Sequence, residues 1–578
     1  MRFHFLMLMA VMVFARGAMA ISIDSVSIEE PQSGQAVPQY GKLELLVSLS
    51  GVAATHFYEP LPANGGLNLT ATFTAPGGAQ TTVPGYYDGA SWRVRFSPKL
   101  VGSYSFTVSA TDASGSAATT AAAFDVVASS WPGFAAVNGH YLQYSNGTVC
   151  FAVGHNNGWQ YDVEQPSFAD MAAMKENVLS FWMASPWIIP SDNIPRAPIE
   201  NAVDGVGNYN QASCAYLDGV VSRAETAGVC LLPSLWAHDQ LCDGIPSGWP
   251  SSWQNNGYKA LCSATDFYKT VVSGVDTAQW RYQKNYYRYV LARWGYSRAI
   301  IGWVAVVEID GTTGYVQNSA QCSTWSSALR TYFSTNDPYR VSAAGKYPMA
   351  ISRVDQAGFD IGQDMRATDS YTSQTDKVGV ANTIASQITT MWSSGKPAFH
   401  AEFGASQAAL QPTHLHNGVW AGSSAGACMT PLLWCDGGSF PMMTDPTVGS
   451  AMRTQLQNLA DFMGGVSFLG SAATTAASPS FNSTALRGWG LKNASSNATV
   501  CVAWIQNKNS GTFNSTQNVS IANVVKNSSY KIEWFNTWSS GATPFQTTNV
   551  STSKQSTTLT VSFPTLAQSD IAVRITKQ

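Results

Sequence analysis

Charged side chains are scarce in this chain, and their scarcity limits the partners it can bind. The 32 lysines and arginines and the 35 aspartates and glutamates make up 12% of 578 residues, with a net charge of −3. Because a nucleic-acid-binding protein normally presents a basic face, we expect no nucleic-acid partner. Aromatic residues are as frequent as charged ones. This composition suits a protein that binds neutral polymers by stacking, although a tryptophan-rich core gives the same counts.

Long apolar runs are also missing, apart from one at the amino terminus. Arg2 precedes an apolar run over Phe5–Phe14, and the segment ends at Ala18–Ala20. A basic start, a short apolar middle and an Ala-x-Ala end predict a signal peptide over residues 1–20, cleaved before Ile21. A membrane anchor needs about 20 apolar residues, and Arg16 interrupts this run too early. We therefore expect a secreted protein, extracellular or periplasmic, without a membrane span.

The nine cysteines show neither a CxxC pair nor a zinc-ligand spacing. The histidines show no H-x-E-x-H or His/Asp spacing either, so we expect no metal site, and we expect no cofactor. Cys242 and Cys262 bracket a loop rich in Gly, Pro and Ser, and they form the favoured disulfide because export permits such bonds. Cys150 and Cys230 lie in apolar runs and are predicted to be small core residues. The further candidates for pairing are Cys214, Cys322, Cys428 and Cys435.

Two segments of the mature chain have the pattern of all-β modules. In residues 21–128, short runs with a period near two alternate with Gly- and Pro-rich turns, which fits a β-sandwich. Gly85–Gly89, Trp92–Pro98 and Gly102–Tyr104 resemble an immunoglobulin-like module that precedes many bacterial glycosidase barrels. Residues 471–578 return to alternating strands and predict a second β-sandwich.

The segment between them, residues 129–470, alternates apolar strands with longer helical stretches, as βαβ units with a parallel sheet do. Eight strands over about 340 residues fit a (β/α)8, or TIM, barrel with long loops. The predicted strands are Val149–Val153, Val178–Ala184, Val229–Leu235, Ile300–Val307, Arg340–Ala344, Arg366–Ser370, Pro397–Ala401 and Met429–Trp434. The expected fold class is multidomain, with a central barrel flanked by N-terminal and C-terminal β-sandwich domains.

The carboxyl ends of the strands form the mouth of a barrel, where active residues lie. The predicted strands four and seven end in glutamates, Glu308 and Glu402. These strands face each other across the mouth, so their carboxyl groups can meet over a sugar. Cleavage of a glycosidic bond with retention needs two carboxyl groups about 5–5.5 Å apart. A salt bridge or a helix cap is the competing interpretation for either glutamate alone, and the pair in matching positions favours catalysis.

A family resemblance assigns a role to each glutamate. Tyr289–Ser297 and Glu308–Asp310 resemble the helix and fourth strand of clan A glycoside hydrolases, and His400–Gly404 resembles their nucleophile strand. These are retaining enzymes with the acid/base on strand four and the nucleophile on strand seven. The resemblance therefore implies that Glu308 is the acid/base and Glu402 the nucleophile.

The resemblance extends to the substrate. The segment His414–Trp420 leads to Trp434, which matches the tryptophan that forms the floor of the sugar subsite in that family. Tyr371 matches the strand-six residue that hydrogen-bonds the nucleophile. The further predicted substrate contacts at the strand ends are His155, Asn156, Trp159, Trp182, Trp236 and His238. Packing is the competing interpretation for the two histidines, and Trp182 is the tryptophan most suited to fill the core.

One position departs from the family pattern. Clan A barrels usually have asparagine before the acid/base, where it bonds the sugar 2-hydroxyl, and this chain has Val307. Hydrogen bonds to that hydroxyl strengthen in the transition state. Three explanations stay open: another donor such as His238, Asn156 or Asn157, a sugar that does not need the bond, or a loss of activity.

The leading prediction is a secreted retaining glycoside hydrolase that cleaves a β-linked polysaccharide or oligosaccharide by double displacement. A non-catalytic carbohydrate-binding or adhesive protein on a degenerate barrel is the alternative that Val307 favours. A transglycosylase is the other alternative, because it differs only in how well water is excluded from the acceptor site. The sugar, the linkage and the oligomeric state stay open.

Overall fold

The structure is a computed structural model, and it describes most of the chain. The described residues are 20–32, 34–158, 167–185, 197–372, 377–405, 411–434, 446–471, 473–509, 511–539 and 541–578. Residues 1–19 of the predicted signal peptide, Trp159 and Cys435 lie outside them. Among the described helices, none combines the length and hydropathy needed to cross a membrane.

Two sheets form the amino-terminal part and share one hydrophobic core. Their strands are β1 Ser22–Glu30, β2 Val37–Pro38, β3 Leu43–Ser50, β4 Asn68–Thr74, β5 Gln80–Pro84, β6 Tyr86–Tyr87, β7 Trp92–Phe96, β8 Gly102–Asp112, β9 Gly115–Ala118 and β10 Ala122–Val127. One sheet has the order β1-β3-β7-β6 and the other β2-β10-β8-β4-β5, with β9 on β8. Phe73 of one sheet stacks on Phe96 of the other, with ring centroids 3.9 Å apart. The arrangement is therefore sandwich-like, with one face of each sheet in the core.

A small antiparallel sheet precedes the barrel, and the predicted strands did not include it. It consists of β11 Ala135–Asn138, β12 Tyr141–Tyr144 and β13 Val149–Cys150. The predicted strand Val149–Val153 is therefore wrong, and the first barrel strand is β14 Gly154–Asn156. One apolar run supplies both β13 and the approach to β14, and hydrophobicity alone does not show where such a run changes sheets.

The central segment contains eight parallel strands in one sheet. After β14 the barrel strands are β15 Val178–Trp182, β16 Cys230–Trp236, β19 Trp303–Val306, β20 Met349–Ala350, β21 Arg366–Thr372, β22 Ala398–Ala405 and β23 Leu433–Trp434, and a hairpin of β17 Val271–Val272 and β18 Val275–Asp276 lies between β16 and β19. The sheet order is β20-β19-β16-β15-β14-β23-β22-β21. A parallel bridge between Val354 and Asp369 joins the two ends, so the sheet is nearly closed into a barrel.

The helices of this segment alternate with the strands, as the sequence predicts. They are α1 Phe168–Ala173, α2 Gln211–Ala227, α3 Ala278–Trp294, α4 Thr313–Gln317, α5 Ser319–Asn336, α6 Lys377–Trp392, α7 Pro412–Ala425 and α8 Pro446–Gly464. Helix α3 begins after Thr277, whose hydroxyl accepts a hydrogen bond from the N–H of Trp280. All but one of its aromatic side chains are buried, so tertiary packing stabilises it more than intrinsic propensity does.

The fifth predicted strand is also wrong. Residues 340–344 do not form a strand, because Arg340 is fully buried and its guanidinium binds backbone carbonyls and Asp337. The strand in this place is Met349–Ala350, which pairs with Trp303 and Val304. The strand Met349–Ala350 is too short to show a recognisable alternation of side chains. Residues 340–344 imitate a strand in the sequence, because the apolar stem of Arg340 stands next to valine and alanine.

The carboxyl-terminal part again consists of two sheets around one core. Its strands are β24 Thr475–Ala476, β25 Ser480–Phe481, β26 Leu486–Lys492, β27 Val500–Asn507, β28 Asn518–Ile521, β29 Ser529–Phe535, β30 Gln546–Ser551, β31 Leu559–Ser562 and β32 Asp570–Lys577. The sheet orders are β24-β26-β27-β32-β29-β30 and β25-β28-β31.

Both flanking parts are joined to the barrel by buried or half-buried ion pairs. Arg95 of β7 lies 2.7 Å from Asp218 of α2, and Arg293 of α3 lies 2.6 Å from the other oxygen of that carboxylate. At the opposite end, Asp570 of β32 accepts a hydrogen bond from His416 of α7 at 2.8 Å. Buried charges need such partners, so these pairs fix where the flanking sheets dock.

The predicted disulfide between Cys242 and Cys262 is absent. Each of the eight cysteines within the described residues has a free thiol. The Cys242 thiol contacts the carbonyl oxygen of Ile245 at 3.6 Å, and the Cys262 thiol contacts that of Tyr258 at 3.7 Å. Cys150 and Cys230 are buried, as predicted for core residues.

Candidate active site

Glu308 stands at the end of β19 in a left-handed backbone conformation, with φ 47° and ψ 59°. Its N–H donates to the hydroxyl of Ser352, 2.9 Å away. A non-glycine residue in this conformation costs roughly 1–3 kcal/mol, and such strain is concentrated at functional sites. The turn ends the strand and brings the Glu308 carboxyl group next to His238, with 3.3 Å between Oε2 and the ring Nε2.

Glu402 owes its direction to a bulge in β22. The pairing with β21 runs from Thr368–His400 directly to Asp369–Glu402, so β22 has one extra residue here. In a regular strand, residues 400 and 402 would point to the same face of the sheet. Instead, His400 binds a glutamine of α6 on the outside, at 2.8 Å, while Glu402 points inward. Bulges re-aim side chains in this way next to active sites.

Asn156 of β14 stabilises that bulge. Its amide nitrogen donates to the carbonyl oxygen of Ala401, the extra residue, at 3.0 Å, and its side-chain oxygen accepts from the N–H of Gly158 at 3.0 Å. A bulge interrupts the hydrogen-bond ladder of its strand, and Asn156 binds the carbonyl at that point. Asn156, predicted as a substrate contact, thus holds the backbone next to Glu402.

Three further predicted residues surround the two carboxyl groups. The Tyr371 hydroxyl donates to Oε2 of Glu402 at 2.6 Å. The indole N–H of Trp182 faces the same carboxylate and lowers its pKa. His238 lies against Glu308, as described above, and its other ring nitrogen is 2.5 Å from Oδ1 of Asp239, although not aligned as a hydrogen bond. Tyr371 and Trp182 thus face Glu402, whereas His238 lies near both carboxyl groups.

Asp369 is a third carboxyl group in this cluster, and the sequence analysis did not select it. It is fully buried, and neither of its oxygens makes a well-aligned hydrogen bond. It faces the Ser352 hydroxyl and the backbone N–H of Glu402, both of which lower its pKa. Since Ser352 also binds the N–H of Glu308, Asp369 and Ser352 link the backbones of both glutamates.

The electrostatics of the cluster favour protonated carboxyl groups. Burial, followed by the negative charge of Glu402, raises the pKa of Glu308 well above its usual range. Burial raises the pKa of Glu402 to about 7, although the Tyr371 hydrogen bond opposes the shift. Burial and then the charge of Glu402 also raise the pKa of Asp369 well above its usual range. Such closely spaced carboxyl groups cannot all ionise, so a proton is available at the site near neutral pH.

Aromatic rings form a row across the mouth. Trp434 lies 5.4 Å from Trp182, which lies 5.6 Å from His238, which in turn lies 5.0 Å from Trp249. Trp182 and His238 are buried, whereas Trp434 and Trp249 are partly exposed. The Trp434 ring packs against Gly158, just after β14, and its Cβ lies near Gly404 on the Glu402 strand. A row of this kind offers faces on which sugar rings can stack.

Two predicted substrate contacts are corrected by the structure. His155 points away from the mouth and binds Glu176, which precedes β15, at 2.8 Å, with both side chains fully buried. Trp236 packs between the barrel and α3, where its indole N–H donates to Tyr287 at 3.1 Å. The alternation of their strands turns both side chains to the outer face. Trp159 lies outside the described residues.

The residues that sequence reasoning missed had a local signal in one case only. Asp369 stands two residues before Tyr371 on β21, so alternation puts both on one face. Trp249 lies in a long loop, and Ser352 follows a strand of two residues, so nothing in the sequence connects either with the site. Within the part of the chain that the structure describes, no group of three or more His, Cys, Asp or Glu side chains has a metal-binding arrangement.

Comparison with families covers a small part of the chain. Residues 36–111 match the family model described as Domain of unknown function (DUF5060). That segment lies in the amino-terminal sheets and does not include the candidate site. No curated protein matches the sequence.

Comparison with solved structures covers the whole architecture. A protein from Bacteroides vulgatus ATCC 8482, described as a candidate glycoside hydrolase, is 16% identical and has a TM-score of 0.58, with 94% of this chain and 100% of that chain covered. An exo-β-1,4-mannosidase from Opitutaceae bacterium strain TAV5 is 14% identical over 58% of this chain and 63% of its own, with a TM-score of 0.40. An endo-β-1,4-mannanase from Thermotoga petrophila is 11% identical over 64% and 94%, with a TM-score of 0.39. The Bacteroides protein shares the overall fold of this chain.

Proposed function

We propose that this protein is a secreted retaining glycoside hydrolase that cleaves β-linked polysaccharides or oligosaccharides by double displacement. In this proposal Glu402 is the nucleophile and Glu308 the acid/base. Residues 21–128, 129–470 and 471–578 are the proposed domains, and the middle one is catalytic. The observation that carries the proposal is the pair of buried, electrostatically coupled carboxyl groups at the ends of β19 and β22.

The neighbours of each glutamate fit its proposed role. A nucleophile must be ionised, and Glu402 accepts a hydrogen bond from Tyr371, which stabilises its charged form. An acid must be protonated at rest, and burial together with the charge of Glu402 raises the pKa of Glu308. The two carboxyl groups have different environments, so one can act as the nucleophile and the other as the acid/base.

The reaction proceeds in two steps. In the first, a Glu402 oxygen attacks the anomeric carbon, the glycosidic C–O bond breaks, and the proton of Glu308 passes to the departing oxygen. The adduct neutralises Glu402, so the pKa of Glu308 falls and the residue ionises. In the second step Glu308 takes a proton from water, the water oxygen attacks the anomeric carbon, and Glu402 leaves as a carboxylate.

His238 is the residue that we propose in place of the missing asparagine. Val307 is fully buried and has no polar side-chain group, while Asn156 is occupied with the bulge. The His238 ring lies 3.3 Å from Glu308 and has an edge-on contact with Trp182. It is therefore near both carboxyl groups, where a sugar 2-hydroxyl is bound in the transition state.

The experiment that tests the proposal has two stages. A panel of plant, fungal and algal polysaccharides with a reducing-sugar readout identifies the substrate. The matching 2-deoxy-2-fluoro glycoside with a good leaving group then traps the covalent intermediate, because fluorine slows both steps and the leaving group restores only the first. We expect the label on Glu402. A label on Glu308 or Asp310, or no label despite turnover, would contradict the assignment.

Glu308→Ala distinguishes the acid/base from a merely structural residue. We expect the variant to retain fast glycosylation on activated aryl glycosides, which need no protonation of the leaving group. Azide should then restore its deglycosylation, because this anion attacks without base assistance. Asp310→Asn is the matched control, since Asp310 stands two residues later. If azide has no effect on Glu308→Ala, or if Asp310→Asn behaves in the same way, Glu308 is not the acid/base.

A further inference from the structure

The aromatic row at the mouth has one exposed ring at each end. Trp434 and Trp249 are partly exposed, and the two rings between them, Trp182 and His238, are only 3% and 6% exposed. The contacts along the row are 5.4 Å, 5.6 Å and 5.0 Å between ring centroids. The two carboxyl groups contact the buried middle of the row. A chain of sugars that crosses the mouth would therefore meet one exposed tryptophan on either side of the reacting bond.

Trp249 lies on the side of the acid/base. A Cβ atom built on Gly311, three residues after Glu308, would be 2.4 Å from Cε3 of the Trp249 ring, so only glycine allows this approach. The ring also contacts the edge of His238, which binds Glu308. Trp434, in contrast, follows Leu433, which pairs with Phe403 next to Glu402, and its ring packs on Gly158. The two exposed rings thus lie at opposite ends of the row, Trp249 beside Glu308 and Trp434 beside the strand of Glu402.

The loop that carries Trp249 is rigidly attached to the barrel. The Thr313 hydroxyl of α4 donates to Asp243 at 2.7 Å and lies 2.8 Å from the carbonyl of Ile245. After the tryptophan, the N–H of Ser252 donates to the carbonyl of Asp239, next to His238, at 2.9 Å. A ring held in this way loses little conformational freedom when a ligand stacks on it.

We propose that Trp249 forms the leaving-group subsite and stacks on the pyranose ring that departs when Glu308 protonates the glycosidic oxygen. The inference rests on the proposed function and narrows its substrate class to glycans with a pyranosyl unit on the leaving-group side. The position of the ring beside the acid/base carries the argument, since the bond that breaks lies between Glu308 and the sugar on Glu402.

Two probes of the same sugar test the subsite. One is a β-glycosyl fluoride, chosen from the glucosyl, mannosyl, galactosyl and xylosyl compounds by activity with the wild-type enzyme. Its leaving group is a single atom that does not reach Trp249. The other is the matching β-1,4-linked trisaccharide. For Trp249→Ala we expect kcat/KM to fall about tenfold on the trisaccharide and to stay within about twofold on the fluoride, with partial recovery in Trp249→Phe.

Two control variants show whether a loss on the trisaccharide alone is specific to Trp249. Trp434→Ala should lower activity on both probes, and Trp489→Ala, which removes a partly exposed ring of the carboxyl-terminal sheets, should change neither. An independent measurement is the reactivation of the 2-fluoro adduct by cellobiose or mannobiose, which we expect Trp249→Ala to lose while reactivation by water is unchanged. Equal losses on fluoride and trisaccharide, or no loss on either, would overturn the subsite. If the wild-type enzyme hydrolyses neither probe nor any glycan of the panel, the proposed function itself fails, and the subsite with it.

Discussion

Two clusters of buried acidic side chains in this molecule have opposite electrostatics. Asp570 is fully buried between the barrel and the carboxyl-terminal sheets, where it accepts hydrogen bonds from His416, Trp538 and Trp504 at 2.8–3.0 Å and also from Thr537. Burial alone would raise its pKa, but the attraction of His416 and these bonds lower it to about 2. Glu402 at the mouth is equally buried, has fewer donors, and its pKa is raised to about 7.

The difference shows how to distinguish a structural carboxylate from a reactive one. Asp570 has a donor for each oxygen and an opposite charge, so its ionised form stabilises the interface. The cluster of Glu308, Glu402 and Asp369 brings like charges together, and among the described residues the largest influences on their pKa values do not include a lysine or an arginine. Carboxyl groups held in that way destabilise the fold and have pKa values useful for proton transfer.

The largest effect is expected for the proposed nucleophile. Glu402→Gln should lower turnover roughly 10⁴-fold or more on every substrate, because an amide cannot form the covalent intermediate. The measurement is kcat on the best glycoside of the panel, with circular dichroism to verify the fold. Glu533→Gln, on the remote strand β29, is the matched control. A folded Glu402→Gln enzyme that keeps more than a few per cent of wild-type activity would show that Glu402 is not the nucleophile.

The next effect concerns stability at the other cluster. Asp570→Asn removes the charge that His416 and four other donors, Trp504, Thr537, Trp538 and Ser569, bind, and breaking a buried pair costs about 3–5 kcal/mol. Calorimetry at pH 7 should show the melting temperature of the carboxyl-terminal part several degrees lower, while that of the exposed control Asp125→Asn stays within one degree of wild type.

The same network makes stability depend on pH. Since the pKa of Asp570 is depressed, its stabilisation is present above pH 4 and disappears as the pH falls through about 2. Equal melting temperatures for Asp570→Asn and the control would show that the network is dispensable.

At the mouth, we expect the stability of the fold to depend on pH in the opposite direction to that at Asp570. The pKa of Glu402 is raised, so the wild-type fold loses stability as the pH rises from about 4.5 to above 7. Glu402→Gln, which carries no charge, should therefore be more stable than wild type at pH 8, by up to about 3 kcal/mol, and equal to it at pH 4. The check is a series of melting curves from pH 4 to 8. A variant less stable than wild type at pH 8 would mean that the ionised Glu402 stabilises the fold as Asp570 does.

The smallest effect is a change in pH dependence. In the proposed mechanism activity needs ionised Glu402 and protonated Glu308, so kcat/KM should fall below about pH 7 and again at a higher pH where Glu308 loses its proton. Tyr371→Phe removes a donor to the charged form of Glu402 and therefore raises its pKa. The acid limb should move up by about one pH unit, with about tenfold lower kcat/KM at pH 6. Tyr332→Phe on the outer helix α5 is the control, and an acid limb that moves down or not at all contradicts the assigned hydrogen bond.

Parts of the site could be predicted because they depend on short-range order. Glu308 follows an apolar run that has to be a buried strand, and barrel strands carry their functional groups at their carboxyl ends. Tyr371 and Trp434 are found in the same way, and the structure places Tyr371 against Glu402 and Trp434 against Trp182, whose indole faces Glu402. His155 and Trp236 also stand near strand ends, but they point outward, since a strand end contains residues of both faces. Trp249 could not be predicted, because its loop has no periodicity.

The sequence by itself determined the strand–helix alternation, the order of the three parts of the chain and the two glutamates at matching strand ends. These are local properties, set by hydrophobic period, turn residues and caps over ten to twenty neighbours. The tertiary structure alone decided which side chains face the mouth. The bulge at Ala401 reverses the direction of Glu402 relative to His400, and that bulge exists only through pairing with β21 and the bond from Asn156. Register and bulges depend on residues far apart in the chain, so an alternation pattern within one strand does not contain them.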